Sequence, residues 1–251
     1  MTNSVFKGLE VASSLLLAYN SLAQAHKRST ESVKANAKMD KTNVDPFANY
    51  KNCFGLVLLN ASIIEGSLRS ILSSSLVEEI NRSVNEAKIS GRTGPSKAEI
   101  MLTRFHNDVE MQGGWEPLKS QYKLYFDISL DALMGEALKE PINVLFTLRN
   151  ILAHGTAIVQ PKSDMDETMK DMYPYNWQKK LQQTRVYLER IFGNKDIFEN
   201  LAEYEMPIHF MDKTKELFVV IKNEINPLPE RSQRIFEMVE EFRFGFISNG
   251  R

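Results

Sequence analysis

The spacing of apolar residues predicts helices along nearly the whole chain. Between Val5 and about Lys38, Leu9, Leu16, Leu17 and Ala23 recur at helical intervals, with no Pro and no Gly after Gly8. Asn43-Val44-Asp45-Pro46 ends that run. A second helix is predicted from Phe47 towards Ile89. Its front half, Leu56 to Leu72, is the most apolar part of the chain, and Ser73-Ser74-Ser75 suggests a bend. Ile89 to Ser96 reads as a loop. Ser96, with Glu99 three residues on, has the spacing of a capping box, which opens a helix to about Met111. Gly113-Gly114 breaks it, and Trp115 to Met134 reads as helix in pieces. Pro141 suits the first turn of a helix that ends at His154, with Gly155 as its stop. A turn-rich stretch with Pro161, Asp164, Asp166 and Tyr173-Pro174-Tyr175 follows. Asn176 is then expected to cap a helix through Phe192. Two last helices are placed around Asp212 to Ile225 and Glu230 to Phe244, split by Asn226-Pro227-Leu228-Pro229. Only Ile158-Val159 and Ile208-His209-Phe210 are short strand candidates. The fold class expected is all-α.

Composition narrows the function classes. A chain of 251 residues with 43% apolar and 25% charged residues can bury a sizeable core. The net charge of −1 does not fit a protein that coats duplex DNA without sequence preference, so a nucleic-acid site must be a local basic patch. The single cysteine, Cys53, allows no internal disulfide and no Cys-built zinc site, which suits a reducing compartment. Near the N-terminus, Val11 to Tyr19 followed by Ala23-Gln24-Ala25 imitates an export signal. Glu10 and the interruption by Ser13 and Ser14 argue against one, and a cytoplasmic location is expected. No uninterrupted apolar run is long enough to span a bilayer, so no membrane partner is expected.

Common catalytic signatures are absent: there is no phosphate-cradling Gly-rich loop, no H-E-x-x-H and no G-x-S-x-G. Four histidines, His26, His106, His154 and His209, have no local spacing suggesting a metal, and no metal or cofactor is expected. What stands out is Leu148-Arg149-Asn150-Ile151-Leu152-Ala153-His154-Gly155 at the end of an apolar helix. Asn150 and His154, four apart, share a helix face. Arg149 lies about 140° from His154 around the axis. A histidine titrates near neutrality and can move protons at a ribose 2′-hydroxyl or a leaving 5′-oxygen. An arginine keeps its charge and can clamp phosphate oxygens with paired donors. Asn150 can orient the imidazole or bind a phosphate oxygen.

This segment resembles the R-N-x-x-A-H form of the signature of HEPN domains, the higher-eukaryote and prokaryote nucleotide-binding helical domains. The resemblance extends weakly to the helix Leu56 to Leu72, where family members often carry an acidic residue; here it would be Glu65. It implies a HEPN-like helical bundle at 46–160 and does not cover the N-terminal forty residues or anything beyond about residue 160, where the apolar spacing predicts a long N-terminal helix at 1–45 and a helical extension at 161–251 packed on the core. It also implies a metal-independent endoribonuclease, a toxin or antiviral defence effector, acting as a homodimer whose motif helices meet to form a composite cleft. An antitoxin or other regulatory protein would be a further partner. In one HEPN branch a Tyr lies two residues after the His; here Thr156 stands there, which does not support modification of a tyrosine.

Plainer readings stand beside these. Cations in the last turn of a helix favour its C-terminus, so His154-Gly155 can be a structural cap. Glu65 interrupts the apolar stripe Leu58, Ala61, Leu68 and Leu72 and can pair with Arg69 four residues on. Arg92, Lys97 and Arg104, with Arg82 and Lys88 nearby, can track an RNA backbone or be a solvated surface diluted by Glu86 and Glu99. Lys179, Lys180, Arg185 and Arg190 form a second basic group. Trp115, Tyr122, Tyr125 and Phe126 can stack bases or build core. The alternative function is a non-catalytic helical module that binds nucleotide, RNA or a protein partner.

Overall fold

A computed structural model describes residues 11–36, 50–155, 158, 168 and 173–246, the side chains of 32–36 and 173–180 excepted. Within these residues the chain is helical and has no strand. The helices are α1 (Val11–Asn36), α2 (Tyr50–Ile89), α3 (Lys97–Met111), α4 (Trp115–Phe126), α5 (Leu130–His154), α6 (Tyr173–Phe192), α7 (Ile197–Ala202), α8 (Met206–Glu224) and α9 (Glu230–Glu241). The all-α expectation holds.

Several starting points differ from the sequence reading, and proline accounts for three of them. Pro141 does not open its helix. The break is at Gly135 (φ 58, ψ 179), a conformation open to glycine, so Pro141 sits inside α5. Conversely, α6 starts at Tyr173, before Pro174, and α8 starts at Met206, before Pro207. A proline in the first turn gives up an N–H that has no helical partner there, so both mark starts rather than turns. The start of α8 absorbs Ile208-His209-Phe210, which is helical and not a strand. Val159, from the other strand candidate, lies outside the described residues. Helix α2 continues unbroken through Ser73-Ser74-Ser75. The boundaries expected near 45 and 160 also lie outside the described residues.

The chain forms two compact units, each gathered from three separate stretches. The first unit comprises 1–15, 62–135 and 218–241. Its core is built on Ile63, Ile64, Leu68, Ile71 and Leu72 of α2, with Trp115, Leu118 and Tyr122 of α4 and Ile235, Phe236 and Val239 of α9, all buried. The Tyr122 hydroxyl donates to the Leu68 carbonyl at 2.7 Å, and Phe218 stacks on Phe236 with ring centres 4.4 Å apart. Trp115 and Tyr122 are therefore core residues rather than a base-stacking platform.

The second unit comprises 16–61, 136–217 and 242–251. Buried Leu16, Tyr19 and Ala23 of α1 share its core with Cys53, Leu56 and Val57 of α2, Leu145 and Leu148 of α5, and Phe210 and Met211 of α8. The Tyr19 hydroxyl donates to the Pro207 carbonyl at 3.1 Å. A Cβ placed on Gly55 would lie 2.7 Å from Leu22 Cδ2, so this glycine is what lets α1 and α2 approach there.

Helix α2 is long and apolar enough, by length and composition alone, to cross a membrane, and 61% of its most apolar window is buried inside the protein. Apolar residues all round a helix also mark a core helix. Here Ile63, Ile64, Ser67, Leu68 and Ile71 are all fully buried.

Candidate functional site at the end of helix α5

Helix α5 sets its last turns by its inner face. Leu145, Leu148 and Ile151 are buried in the second unit, which turns Asn150, Ala153 and His154 outward. The Gly155 N–H makes the last helical bond, to the Ile151 carbonyl at 2.7 Å, and the helix ends at His154. Arg149 is half-buried, and its guanidinium Nη1 donates to the Asn150 side-chain oxygen at 2.9 Å. That bond matters for geometry. Position 149 lies about 140° from position 154 around the axis, but Asn150 shares the face of His154. The long side chain of Arg149 thus folds towards the Asn150 side of the helix. Within one chain the exposed end of α5 offers a fixed cation, an amide and an imidazole.

Glu65 is placed differently. It belongs to the first unit, while Arg149, Asn150 and His154 belong to the second. Its carboxylate accepts from Arg69 Nη2 at 3.0 Å and from the Gly114 backbone N–H at 2.8 Å. Arg69 also donates to the Val109 carbonyl. The node ties α2 to the end of α3 and the start of α4. Sequence spacing suggested the Arg69 partner; nothing local pointed to Val109 or Gly114.

The basic residues expected to meet RNA divide in the same way. Arg92 pairs with Glu99 at 2.5 Å, and Glu99 is the buried acid of the capping box. Its second oxygen accepts from the Ser96 N–H at 2.5 Å, while the Ser96 hydroxyl accepts from the Glu99 N–H at 3.2 Å. The Ser96 N–H, then Arg92, hold the Glu99 carboxyl below its ordinary range. Lys97 and Arg104 are exposed on α3. In the other group, Arg190 pairs with Glu140 and lies over the Tyr187 ring, while Arg185 stands 4.0 Å from Glu189.

Three clusters escaped the sequence reading. Ser73 donates to Glu110 at 2.5 Å and lies 3.1 Å from His106 Nε2. Glu110 approaches that same nitrogen at 3.8 Å. A hydrolytic triad needs the acid on the opposite ring nitrogen from the serine, so this arrangement ties α2 to α3 and does not activate Ser73. In the second unit, His26 is buried, stacks on Tyr204 with centres 4.9 Å apart, and has Nε2 3.1 Å from the Tyr204 carbonyl. That contact makes Nε2 the protonated nitrogen of the neutral ring. His209 Nε2 lies 2.5 Å from the Tyr187 hydroxyl. Burial pushes both histidines below their ordinary value, and Lys213 adds to the effect at His209. All three clusters rest on contacts spanning 22 or more residues, beyond any local pattern. Among the described residues no group of three His, Cys, Asp or Glu could hold a metal ion.

The chain matches no family model, no curated protein and no solved structure. The HEPN resemblance therefore stands on the residues that carry it, 148–155.

Proposed function

We propose that the protein is a metal-independent endoribonuclease that cuts RNA by attack of a ribose 2′-hydroxyl, working in the cytoplasm as a toxin or antiviral defence effector. The supporting observation is the exposed Asn150 and His154 at the end of α5, with the half-buried Arg149 donating to the Asn150 side chain and so drawn towards the imidazole face. His154 takes the proton of the 2′-hydroxyl, and the freed oxygen bonds to phosphorus. The bond to the 5′-oxygen breaks, and that oxygen receives a proton. Arg149 clamps the phosphate oxygens as charge builds on them. Asn150 holds the arginine and leaves its amide N–H₂ for the phosphate or the imidazole. Lys97 and Arg104 are proposed as backbone contacts, whereas the Arg92 guanidinium already holds Glu99. The chain acts as a homodimer through α5, with an antitoxin or regulatory protein as its natural restraint.

End-group analysis tests this reading. The upstream fragment should carry a 2′,3′-cyclic phosphate or its opened form, and the downstream fragment a 5′-hydroxyl. DNA, which lacks the attacking group, should stay intact. Chelators should leave the rate unchanged. A 5′-phosphate on the downstream fragment would mean that water attacked, and the role given to His154 would be wrong.

A second reading, a non-catalytic helical module that binds nucleotide, RNA or a protein partner, is favoured by the engagement of Glu65. The acidic residue that the resemblance would bring to the motif is bound to Arg69 and Gly114 in its own unit. RNA binding without cleavage would select it.

A further inference from the structure

After α9 the chain leaves helical geometry and passes through Phe242-Arg243-Phe244-Gly245-Phe246. This strap is part of the second unit. A helix satisfies its own backbone groups, whereas the strap draws on side chains of other elements. The Lys215 ammonium of α8 donates to the Phe242 carbonyl, and the Gln24 side-chain amide of α1 donates to the Phe246 carbonyl at 3.5 Å. Within this span the Phe246 N–H closes a turn onto the Arg243 carbonyl at 3.1 Å.

The side chains of the strap alternate between seated and open. Phe242 is buried, with Lys215 over its ring and Tyr19 edge-on to it at 5.5 Å between ring centres. Arg243 is exposed. Phe244 stands in a box of three rings, with Tyr19 and His26 at 6.1 Å and Tyr204 at 6.3 Å, each within 10° of perpendicular to it. Edge-to-face packing of this kind is favourable and directional. The box has supports of its own: the Tyr19 hydroxyl is tied to Pro207, and His26 is stacked on Tyr204. Gly245 is buried at φ 63°, and a Cβ there would lie 3.1 Å from Lys27 Cδ and 3.5 Å from the Ala23 carbonyl oxygen. Both the turn and the close approach require glycine. Phe246 is 56% exposed.

These are the parts of a peptide-recognition site. Donors aimed at main-chain carbonyls grip any sequence, a shaped box selects one side chain, and a tight place selects glycine. We infer that the seat formed by Tyr19, Gln24, His26, Tyr204 and Lys215 docks an extended segment of a partner protein with the pattern aromatic-x-aromatic-Gly, and that the strap is the chain's own occupant of that seat. The strap itself identifies the partner's chemistry, because it shows what fits at each position. A partner segment takes the seat by displacing the strap. The strap stays tethered to α9 and competes at an effective concentration on the order of millimolar. The inference does not rest on the ribonuclease reading and uses no residue of the α5 motif.

Fluorescence anisotropy on the full-length protein tests it. The probe is a labelled synthetic peptide of residues 241–246 with blocked ends. Gly245→Val strains the strap's turn and alters no residue of the seat. This variant should bind the probe at least about 10-fold more tightly than wild type, because the tethered competitor is weakened. Phe244→Ala, which withdraws the strap's ring from the box, should act in the same direction. Circular dichroism checks that each variant keeps its helices. Unlabelled parent peptide should displace the probe, whereas peptides carrying Phe244→Ala or Gly245→Val should not. Absence of probe binding to well-folded variants, equal binding by wild type and variants, or displacement by the altered peptides would each overturn the inference. Loss of the helical fold in both variants would make the strap a fixed part of the core and overturn it as well.

Discussion

Two arginines near helical carboxylates or amides occupy opposite situations in this protein. Arg69 is half-buried beside the buried Glu65 in the first unit, and its two terminal nitrogens donate to that carboxylate and to the Val109 carbonyl. Arg149, in the second unit, reaches to the exposed Asn150 beside the exposed His154. Both side chains stand on apolar helices, and both belong to patterns that suggested chemistry. The difference lies in what the surroundings leave available. A charge whose partners are all internal holds elements together. Asn150 and His154, which are exposed at a helix end, present their polar groups to solvent. Burial of Glu65 against exposure of Asn150 and His154, more than residue type, separates the structural node from the candidate site.

The largest expected effects break the comparison if they fall on the wrong side. His154→Ala should lower RNA cleavage by about 10² to 10⁴-fold, while the urea midpoint moves little, because an exposed helix end carries little packing. Glu65→Ala should do the opposite. It strands Arg69 with no buried counter-charge and should cost about 3 to 5 kcal/mol of stability by urea unfolding. A stable Glu65→Ala protein that has lost cleavage would transfer Glu65 to the active site and erase the distinction.

Smaller effects sharpen it. Ser96→Ala removes one half of a capping box and should cost about 1 kcal/mol, read again by urea unfolding. Cleavage should survive, because the backbone N–H of residue 96 and Arg92 keep their hold on the Glu99 carboxylate. The smallest effect concerns acid. His26 and His209 are held below their ordinary value, so the unfolded chain binds more protons as pH falls below about 6.5. Their contribution to stability is present above that pH and fades beneath it. The melting temperature should decline between pH 7 and pH 5, and His26→Gln should flatten part of the decline. An unchanged slope would mean that the buried imidazole is not the group that titrates.

What the sequence made legible is largely what lies within four residues. Ser96 with Glu99 and Glu65 with Arg69 were both readable, because each pair spans one helical turn and the partners are fixed by helix geometry. The other half of each arrangement was hidden. The Gly114 N–H meets Glu65 from 49 residues away and Val109 meets Arg69 from 40, brought there only by packing. The prolines show a different limit. Pro174 and Pro207 lie in first turns and Pro141 in an interior, yet the residue is the same in all three. What decides is where the preceding backbone breaks, and for α5 that is Gly135. The motif itself was legible as a pattern, but the reach of Arg149 towards Asn150 was not. Axial angles locate Cα atoms, whereas a side chain of several rotatable bonds can cross from one face to the next.

The lone cysteine gives the protein a built-in reporter. Cys53 is fully buried in the second unit, 3.9 Å from His26 Nδ1, and burial pushes its thiol up to about 12. At neutral pH it holds almost no thiolate and presents no surface to a reagent, so alkylating probes should pass over the native protein and label only cysteines introduced at the surface. Any slow modification of Cys53 itself must then proceed through transient opening of the helices that cover it. Its labelling rate in native buffer becomes a clock for that opening, measured at one known atom and without any change to the sequence.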